Sequence, residues 1–310
     1  MQDGVTALAL TEEQIDADIE ERMQKQEEDV RAASDPRIAR TAADEPKSAV
    51  AVGDSWFDYP FANDLGIGQT DIIAQLELMY ERKKPILPLA HYGDATTDMM
   101  TPKKQERLIK ALKNRNLWLN GRPSAIFCSA GGNDVAGNQF RDFLKYNSGL
   151  AASDGLQVEV FNELLSRVKT NYETLFEIRN TYAPGVRVIG HSYDFPTPDG
   201  RPVDFFGLRI GPWLKPSLDL KKWNLADGKA IIADALKRFR RMLEELESNR
   251  NNKFQLVKTQ GTFMDPNYKR DWKNELHPTS RGFKVMARKF DVAWRRPLTL
   301  EDDTDDPATS

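Results

Sequence analysis

The sequence predicts an α/β fold, a three-layer α/β/α sandwich around a five-stranded parallel sheet. Five short apolar runs cover residues 49–52, 85–90, 124–130, 186–190 and 254–259. They are short, and the first, Ala49-Val50-Ala51-Val52, is too β-branched for a helix of its own, so they read as buried parallel strands,. Stretches of helical periodicity separate them, and that alternation places helices on both faces of a parallel sheet. Three of the runs also end in polar, glycine-containing turns. In open α/β sheets, ligands sit just beyond the carboxyl ends of the strands.

Taken in order, residues 1–46 read as a charged helical arm and linker. Thr11-Glu12-Glu13-Gln14 is a capping-box pattern,, and a helix runs from it to about residue 33. Its apolar stripe is thin, with Ile15, Ile19 and Met23 at four-residue steps,. The arm is therefore expected to be mostly solvated, or else docked on the body or on a second copy of the chain as a homo-oligomer. Residues 47–298 form the main domain. Its first strand, Ala49-Val50-Ala51-Val52, stops at Gly53. Helices are expected over 71–82, 102–115, 158–182 and 227–246, and from beyond Pro278 to about 296. Residues 192–226 carry Tyr193, Phe195, Phe205, Phe206, Trp213 and Trp223 among five prolines. A disordered linker would be poor in aromatics, so this insertion is expected to be an ordered, irregular loop and a cap over the cleft. The acidic tail, 299–310, is expected to be disordered.

The composition excludes several classes. Forty-four basic residues face 47 acidic ones, for a net charge of −3, whereas a nucleic-acid binder shows a basic surplus. Cys128 is the only cysteine, so there is no internal disulfide and no cysteine-based zinc site. The N-terminal residues lack a basic n-region and a long apolar core. No apolar run approaches the ~20 residues of a membrane span. The expectation is a cytoplasmic protein.

The polar turns are Gly53-Asp54-Ser55, Gly93-Asp94 and Gly131-Gly132-Asn133-Asp134, and a lone His277-Pro278 follows the fifth strand. Gly-Asp-Ser by itself reads as an ordinary turn with a capping serine. Together the four blocks supply what chemistry at an ester carbonyl needs. Ser55 is a candidate nucleophile and His277 a candidate base. The N–H groups of Ser55 and Gly93 and the Asn133 amide are candidate donors to an oxyanion. Trp56, Phe206 and Trp213 are candidate substrate-binding aromatics.

This order of blocks resembles the SGNH (GDSL-like) hydrolase superfamily, over residue 47 to about 292. The resemblance implies a flavodoxin-like sandwich and a serine esterase or lipase that needs neither metal nor cofactor. It also implies an oxyanion hole from Ser55, Gly93 and Asn133. The substrate class it implies is a small-molecule, lipid or carbohydrate ester. One position departs from the family, which carries an aspartate three residues before the histidine; here it is Asn274. An asparagine carbonyl can orient an imidazole but cannot stabilise an imidazolium as a carboxylate does. Glu275, Asp271 or a backbone carbonyl are the substitutes.

Other histidines admit other readings. His91 either lines the cleft or is a hydrogen-bonded structural residue. Gly190-His191-Ser192-Tyr193-Asp194 starts like a nucleophile elbow, but Asp194 stands where the second glycine belongs,. Asp54, Asp58, Asn133, Asp134, His91 and His191 form a paper ligand set for a metal-dependent phosphoesterase. A non-catalytic interaction protein on an esterase scaffold is the third class, supported by Asn274 and the arm.

Overall fold

A computed structural model describes residues 11–35, 47–61, 70–81, 83–136, 138–205, 208–263 and 266–296. Phe206, the linker at 42–46 and the tail at 299–310 lie outside the described residues.

The strands are β1 (Ala49–Gly53), β2 (Ile86–Pro88), β3 (Ala125–Ser129), β4 (Arg187–His191), β5 (Val203–Phe205), β6 (Leu208–Ile210) and β7 (Phe254–Val257). Five form one sheet in the order β2-β1-β3-β4-β7, with every neighbouring pair parallel. All residues of β1, β3 and β4 are buried, which is why these strands read as continuous apolar runs and not as alternations.

The chain steps from β1 to one edge and then returns to β3 on the other side. Strand order therefore reverses between β1 and β3, and a crevice opens above that point. The register pairs Gly53 with Ser129, so the turns after β1 and β3 emerge side by side.

The helices are α1 (Glu12–Ala33), α2 (Ile72–Met79), α3 (Thr96–Met99), α4 (Pro102–Lys113), α5 (Gly132–Ala136), α6 (Val158–Tyr182), α7 (Lys215–Leu220), α8 (Leu225–Ser248) and α9 (Ser280–Arg295). α9 packs on α2, and α6 on α8 and α4. Phe290 of α9 meets Phe127 of β3 edge-on, whereas Tyr172 of α6 packs on Phe254 of β7. These two aromatic layers cover opposite faces of the sheet.

The arm helix is docked on its own chain. Ile15, Ile19, Met23, Val30 and Ala33 are buried, and burying each larger side chain is worth about 1.5–3 kcal/mol. The buried Gln26 amide donates to Leu117 O at 3.0 Å. The acidic side of α1 also meets the basic side of α4: Arg107 bonds Asp16 and Glu12, and Lys110 bonds Glu20. A thin stripe looked solvated because charged pairs also hold the helix, and charge complementarity needs the partner helix to be seen. The stripe expected to serve a second copy is covered within the chain.

The insertion is more regular than its sequence suggests. β5 and β6 form an antiparallel hairpin, and α7 follows. Three-residue strands are too short to show a period.

Candidate active site

The site begins at a close approach of two strands. Gly53 has φ +145°, and a Cβ there would lie 2.3 Å from Ser129 O. Only glycine fits. Asp54 N donates to Ser129 O at 2.9 Å, and Asp58 N to Asp54 O at 3.1 Å. This tight turn lifts Ser55 to the rim of the sheet.

His277 reaches Ser55 from a second turn, after β7. Lys273 N donates to His277 O at 2.9 Å and Thr279 N to Asp271 O at 2.8 Å, so residues 271–279 close on themselves. Trp56 joins the two turns: its indole N–H donates to Leu276 O at 3.1 Å. Ser55 Oγ lies 2.7 Å from His277 Nε2.

The tautomer of His277 follows from Asn274. Asn274 Oδ1 accepts the N–H groups of Leu276 at 2.9 Å and His277 at 3.0 Å. Two donors on one atom fix it as the carbonyl oxygen. The same oxygen lies 3.1 Å from His277 Nδ1, so Nδ1 carries the proton. Nε2 is then left as an acceptor facing the Ser55 hydroxyl. Burial pushes the His277 pKa down to about 3, and no carboxylate opposes it. The imidazole is neutral near pH 7.

The two substitutes for Asn274 are engaged elsewhere. Glu275 Oε1 accepts from Gly200 N at 2.9 Å and Lys215 N at 3.1 Å. Its Oε2 accepts from Trp213 N at 2.7 Å and Leu214 N at 2.8 Å. Glu275 therefore anchors the insertion beside the histidine turn, and burial pushes its carboxyl up despite these donors. Asp271 faces Arg281 at 3.3 Å.

Asn133 starts α5 beyond β3, and its Nδ2 donates to Asp94 O at 2.8 Å. That bond brings together the turns after β2 and β3. Gly93 has φ +83°, and a Cβ there would meet nothing within 4 Å; Gly93 is not among the residues that line the cleft with Ser55 and His277. Asp134 points away from the cleft and accepts from Thr96 N at 2.8 Å and Thr96 Oγ1 at 2.9 Å.

Ser55, Asn133 and His277 line one cleft, of about 400 Å³ including its open mouth, with Ala136, Leu236 and Leu276 among its apolar walls. The insertion adds Tyr193, Asp194 and Pro196 to that wall. The Trp213 ring stands edge-on to His277 with centroids 5.7 Å apart. Trp223 instead donates to Lys145 O at 2.8 Å, outside the cleft lining. Tyr193, Asp194, Pro196 and Trp213 are thus the insertion residues found at the cleft or beside His277. Trp56 is 4% exposed and packs on His191, Tyr193, Trp272 and Phe283. Its ring is held by packing and by Leu276, and it lines the cleft beside Ser55.

A second serine–histidine pair lies beneath the first. Ser129 Oγ is 2.9 Å from His191 Nε2 and 2.7 Å from Asp54 Oδ1. Tyr193 N donates to His191 Nδ1 at 3.3 Å, so the ring proton sits on Nε2. Ser129 accepts from the histidine and donates to the aspartate. The order Asp-Ser-His is the reverse of a relay that would deprotonate serine. Both Ser129 and His191 are 0% exposed. Tyr193 OH donates to Asp54 Oδ2 at 2.6 Å. Burial still raises the Asp54 pKa to about 6 and lowers that of His191 to about 3. Ser192 is also fully buried and meets Thr259 Oγ1 at 3.3 Å. It does not reach the cleft.

The paper ligand set does not converge. Asp54 is held by Ser129 and Tyr193, Asp134 by Thr96, and Asp58 by Arg22 at 3.2 Å. Among the described residues, no three His, Cys, Asp or Glu side chains are grouped to hold a metal ion. The Cys128 thiol is buried and pushed up to about 12, so it is no nucleophile. No described helix is long and apolar enough to cross a membrane.

Sequence reasoning did not find the clamp at Trp56, the Ser129–His191–Tyr193 floor or Arg22. The only signal for the floor was a histidine at the end of β4.

Comparison with known proteins yields one family. The profile of the GDSL-like lipase/acylhydrolase family matches residues 48–290. No curated protein matches the chain. Among solved structures, the lipase Lip_vut3 from a goat rumen metagenome is 18% identical, with 80% of this chain and 97% of that one covered and a TM-score of 0.48. An extracellular lipase from Streptomyces rimosus is 14% identical, with 80% and 99% covered and a TM-score of 0.47. A member of the lipolytic G-D-S-L family from Veillonella parvula is 13% identical, with 81% and 100% covered and a TM-score of 0.44.

Proposed function

The chain belongs to the GDSL-like lipase/acylhydrolase family, and from that premise we propose that it cleaves carboxylic esters through an acyl-enzyme on Ser55. One observation carries the reading: Ser55 Oγ lies 2.7 Å from an Nε2 that Asn274 leaves free to accept a proton.

Ser55 Oγ attacks the ester carbonyl carbon while its proton passes to His277 Nε2. The carbonyl oxygen becomes an oxyanion, received by the N–H groups of Ser55 and Gly93 and by Asn133 Nδ2. An amide has two N–H donors, so Asn133 can keep Asp94 O on one and offer the other. His277 returns its proton to the alcohol oxygen as the C–O bond breaks. It then takes a proton from water as that water attacks the acyl carbon, and returns it to Ser55 Oγ as the acyl C–O bond breaks and the acid leaves. The imidazolium is transient and meets only the Asn274 carbonyl dipole. Electrostatic support from this position is therefore weaker than a carboxylate would give.

The apolar walls of the cleft and the edge of Trp213 support an ester with a compact apolar part beside the carbonyl. The test is hydrolysis of p-nitrophenyl esters of graded length by the parent and Ser55→Ala. Loss in Ser55→Ala at an unchanged melting temperature supports the reading; retained hydrolysis overturns it.

A further inference from the structure

Taking the Ser55 reading as its basis, we infer that Arg22 of the N-terminal helix is a positioning residue for the oxyanion loop. α1 lies outside residues 48–290, which match the family, so nothing in the shared domain supplies this group. Arg22 is the point where the helix reaches the active-site turns.

Its guanidinium makes three kinds of contact. Nη1 donates to Pro88 O at 3.4 Å and Ala90 O at 3.3 Å. Nη2 donates to Asp58 Oδ1 at 3.2 Å. Nε faces Asp18 on the same helix at 2.7 Å. Pro88 is the last residue of β2, and Ala90 is three residues before Gly93. The carbonyls that Arg22 holds thus set the direction in which the chain leaves the sheet towards Gly93.

Asp58 carries the same hold to the other side. It lies in the Ser55 turn, with its N–H on Asp54 O. Its carboxylate is buried and also meets the Tyr92 backbone N–H, one residue before Gly93. Burial raises the Asp58 carboxyl, and Arg22 and then His91 pull it back. A buried carboxylate is stable only when paired. Arg22 therefore holds the Asp58 that spans from the serine turn to the oxyanion loop. A planar fork with five donors reaches two carbonyls and a carboxylate together; an ammonium does not hold all three in one plane.

An oxyanion donor acts in the transition state, and its placement matters to a fraction of an ångström. Loosening Arg22 should therefore lower kcat and leave KM. Simple docking of α1 predicts something else, since any contact that holds the helix would then count equally. Arg107 separates the two ideas. It binds Asp16 and Glu12 of α1, whereas the tie from α4 to the 88–94 segment is made by Lys104, which bonds Asp94.

The experiment uses the full chain, p-nitrophenyl acetate and amide hydrogen exchange. Arg22→Ala should lower kcat about 10- to 100-fold at nearly constant KM. It should also speed exchange in residues 89–94. Arg22→Lys should recover less than half of the parent kcat, and full recovery would overturn the fork geometry. Asp58→Asn, which keeps the shape of the side chain, should reproduce the kcat loss and serves if Arg22→Ala does not fold. Arg107→Ala should leave kcat and exchange in 89–94 as in the parent. An equal fall in Arg107→Ala would overturn the inference in favour of docking alone. Failure of the Ser55 reading shows separately, as a parent that hydrolyses no ester. Exchange in 89–94 still decides then: unchanged rates in Arg22→Ala overturn the inference whatever the parent's activity.

Discussion

Among the described residues, two serine–histidine pairs have nearly equal lengths, 2.7 Å between Ser55 and His277 and 2.9 Å between Ser129 and His191. Distance does not tell them apart. What differs is the partner of the far ring nitrogen. In the upper pair a carbonyl, Asn274 Oδ1, accepts a hydrogen bond from Nδ1–H and leaves Nε2 as an acceptor toward the serine. In the lower pair a backbone N–H occupies Nδ1, so Nε2 carries a proton and Ser129 faces a donor. Asp54 then accepts from Ser129. The lower pair is a closed hydrogen-bond floor, and the upper pair opens on the cleft. Proton direction, more than proximity, separates a nucleophile from a strut.

Replacing each serine gives the sharpest contrast. Ser55→Ala should lower kcat about 10⁴-fold or more, as loss of a nucleophile does. Ser129→Ala should keep kcat within about tenfold but destabilise by ~1–3 kcal/mol, because it strips a donor from buried Asp54. Ester hydrolysis and thermal melting on the same two samples measure both effects. The opposite pattern would exchange the roles of the pairs.

Next in size is Asn133→Ala. Removing one oxyanion donor should cost about 100- to 1,000-fold in kcat, with KM little changed. A loss confined to KM would make Asn133 a ground-state contact.

Asn274→Asp sharpens the comparison at the ring nitrogen. His277 sits at about 3 in the parent, so kcat/KM should show no acid limb between about pH 8 and pH 5. A carboxylate beside Nδ1 favours the charged imidazole and raises its pKa by ~1–3 units. The variant should therefore gain an acid limb nearer neutrality. Its kcat above that limb should rise about tenfold, since one pKa unit is worth a factor of ten. An acid limb near pH 6–7 in the parent would show that something else charges His277.

The smallest effect is in the floor. Tyr193→Phe removes the hydroxyl that lowers the Asp54 pKa, already raised by burial to about 6. A raised carboxyl contributes stability below its unfolded pKa and loses it as pH rises through the folded one. Raising it further extends that loss to higher pH. The variant's deficit in melting temperature should thus be larger at pH 8 than at pH 5. An equal deficit at both would leave Asp54 out of the effect.

Much of this was legible in the sequence, for physical reasons. Buried parallel strands must be apolar throughout, so β1, β3 and β4 stood out, and a 25-residue helix such as Val158–Tyr182 shows its period many times. Gly53 and Ser55 were conspicuous because they end or directly follow an apolar strand, and Asn133 because it follows a glycine pair after another; His277 stands in a turn well beyond β7 and was singled out by its place after the other blocks. The rest depends on contacts distant in sequence. Which of Asn274, Glu275 and Asp271 meets His277 is a matter of side-chain direction in one turn. The hold of Glu275 on the insertion spans 60 to 75 residues. The docking of α1 rests on charges whose partners lie some 90 residues away. The bond from Trp56 to Leu276 and its packing on Trp272 also join residues more than 200 apart in sequence.

The most direct test of proton direction is labelling with a fluorophosphonate, followed by peptide mapping of the adduct. Only a serine whose proton has an acceptor forms the phosphonyl ester at a useful rate. The account predicts one adduct, on Ser55, kept in Ser129→Ala and lost in His277→Ala. An adduct on Ser129 or Ser192, or labelling of Ser55 that survives His277→Ala, would contradict it.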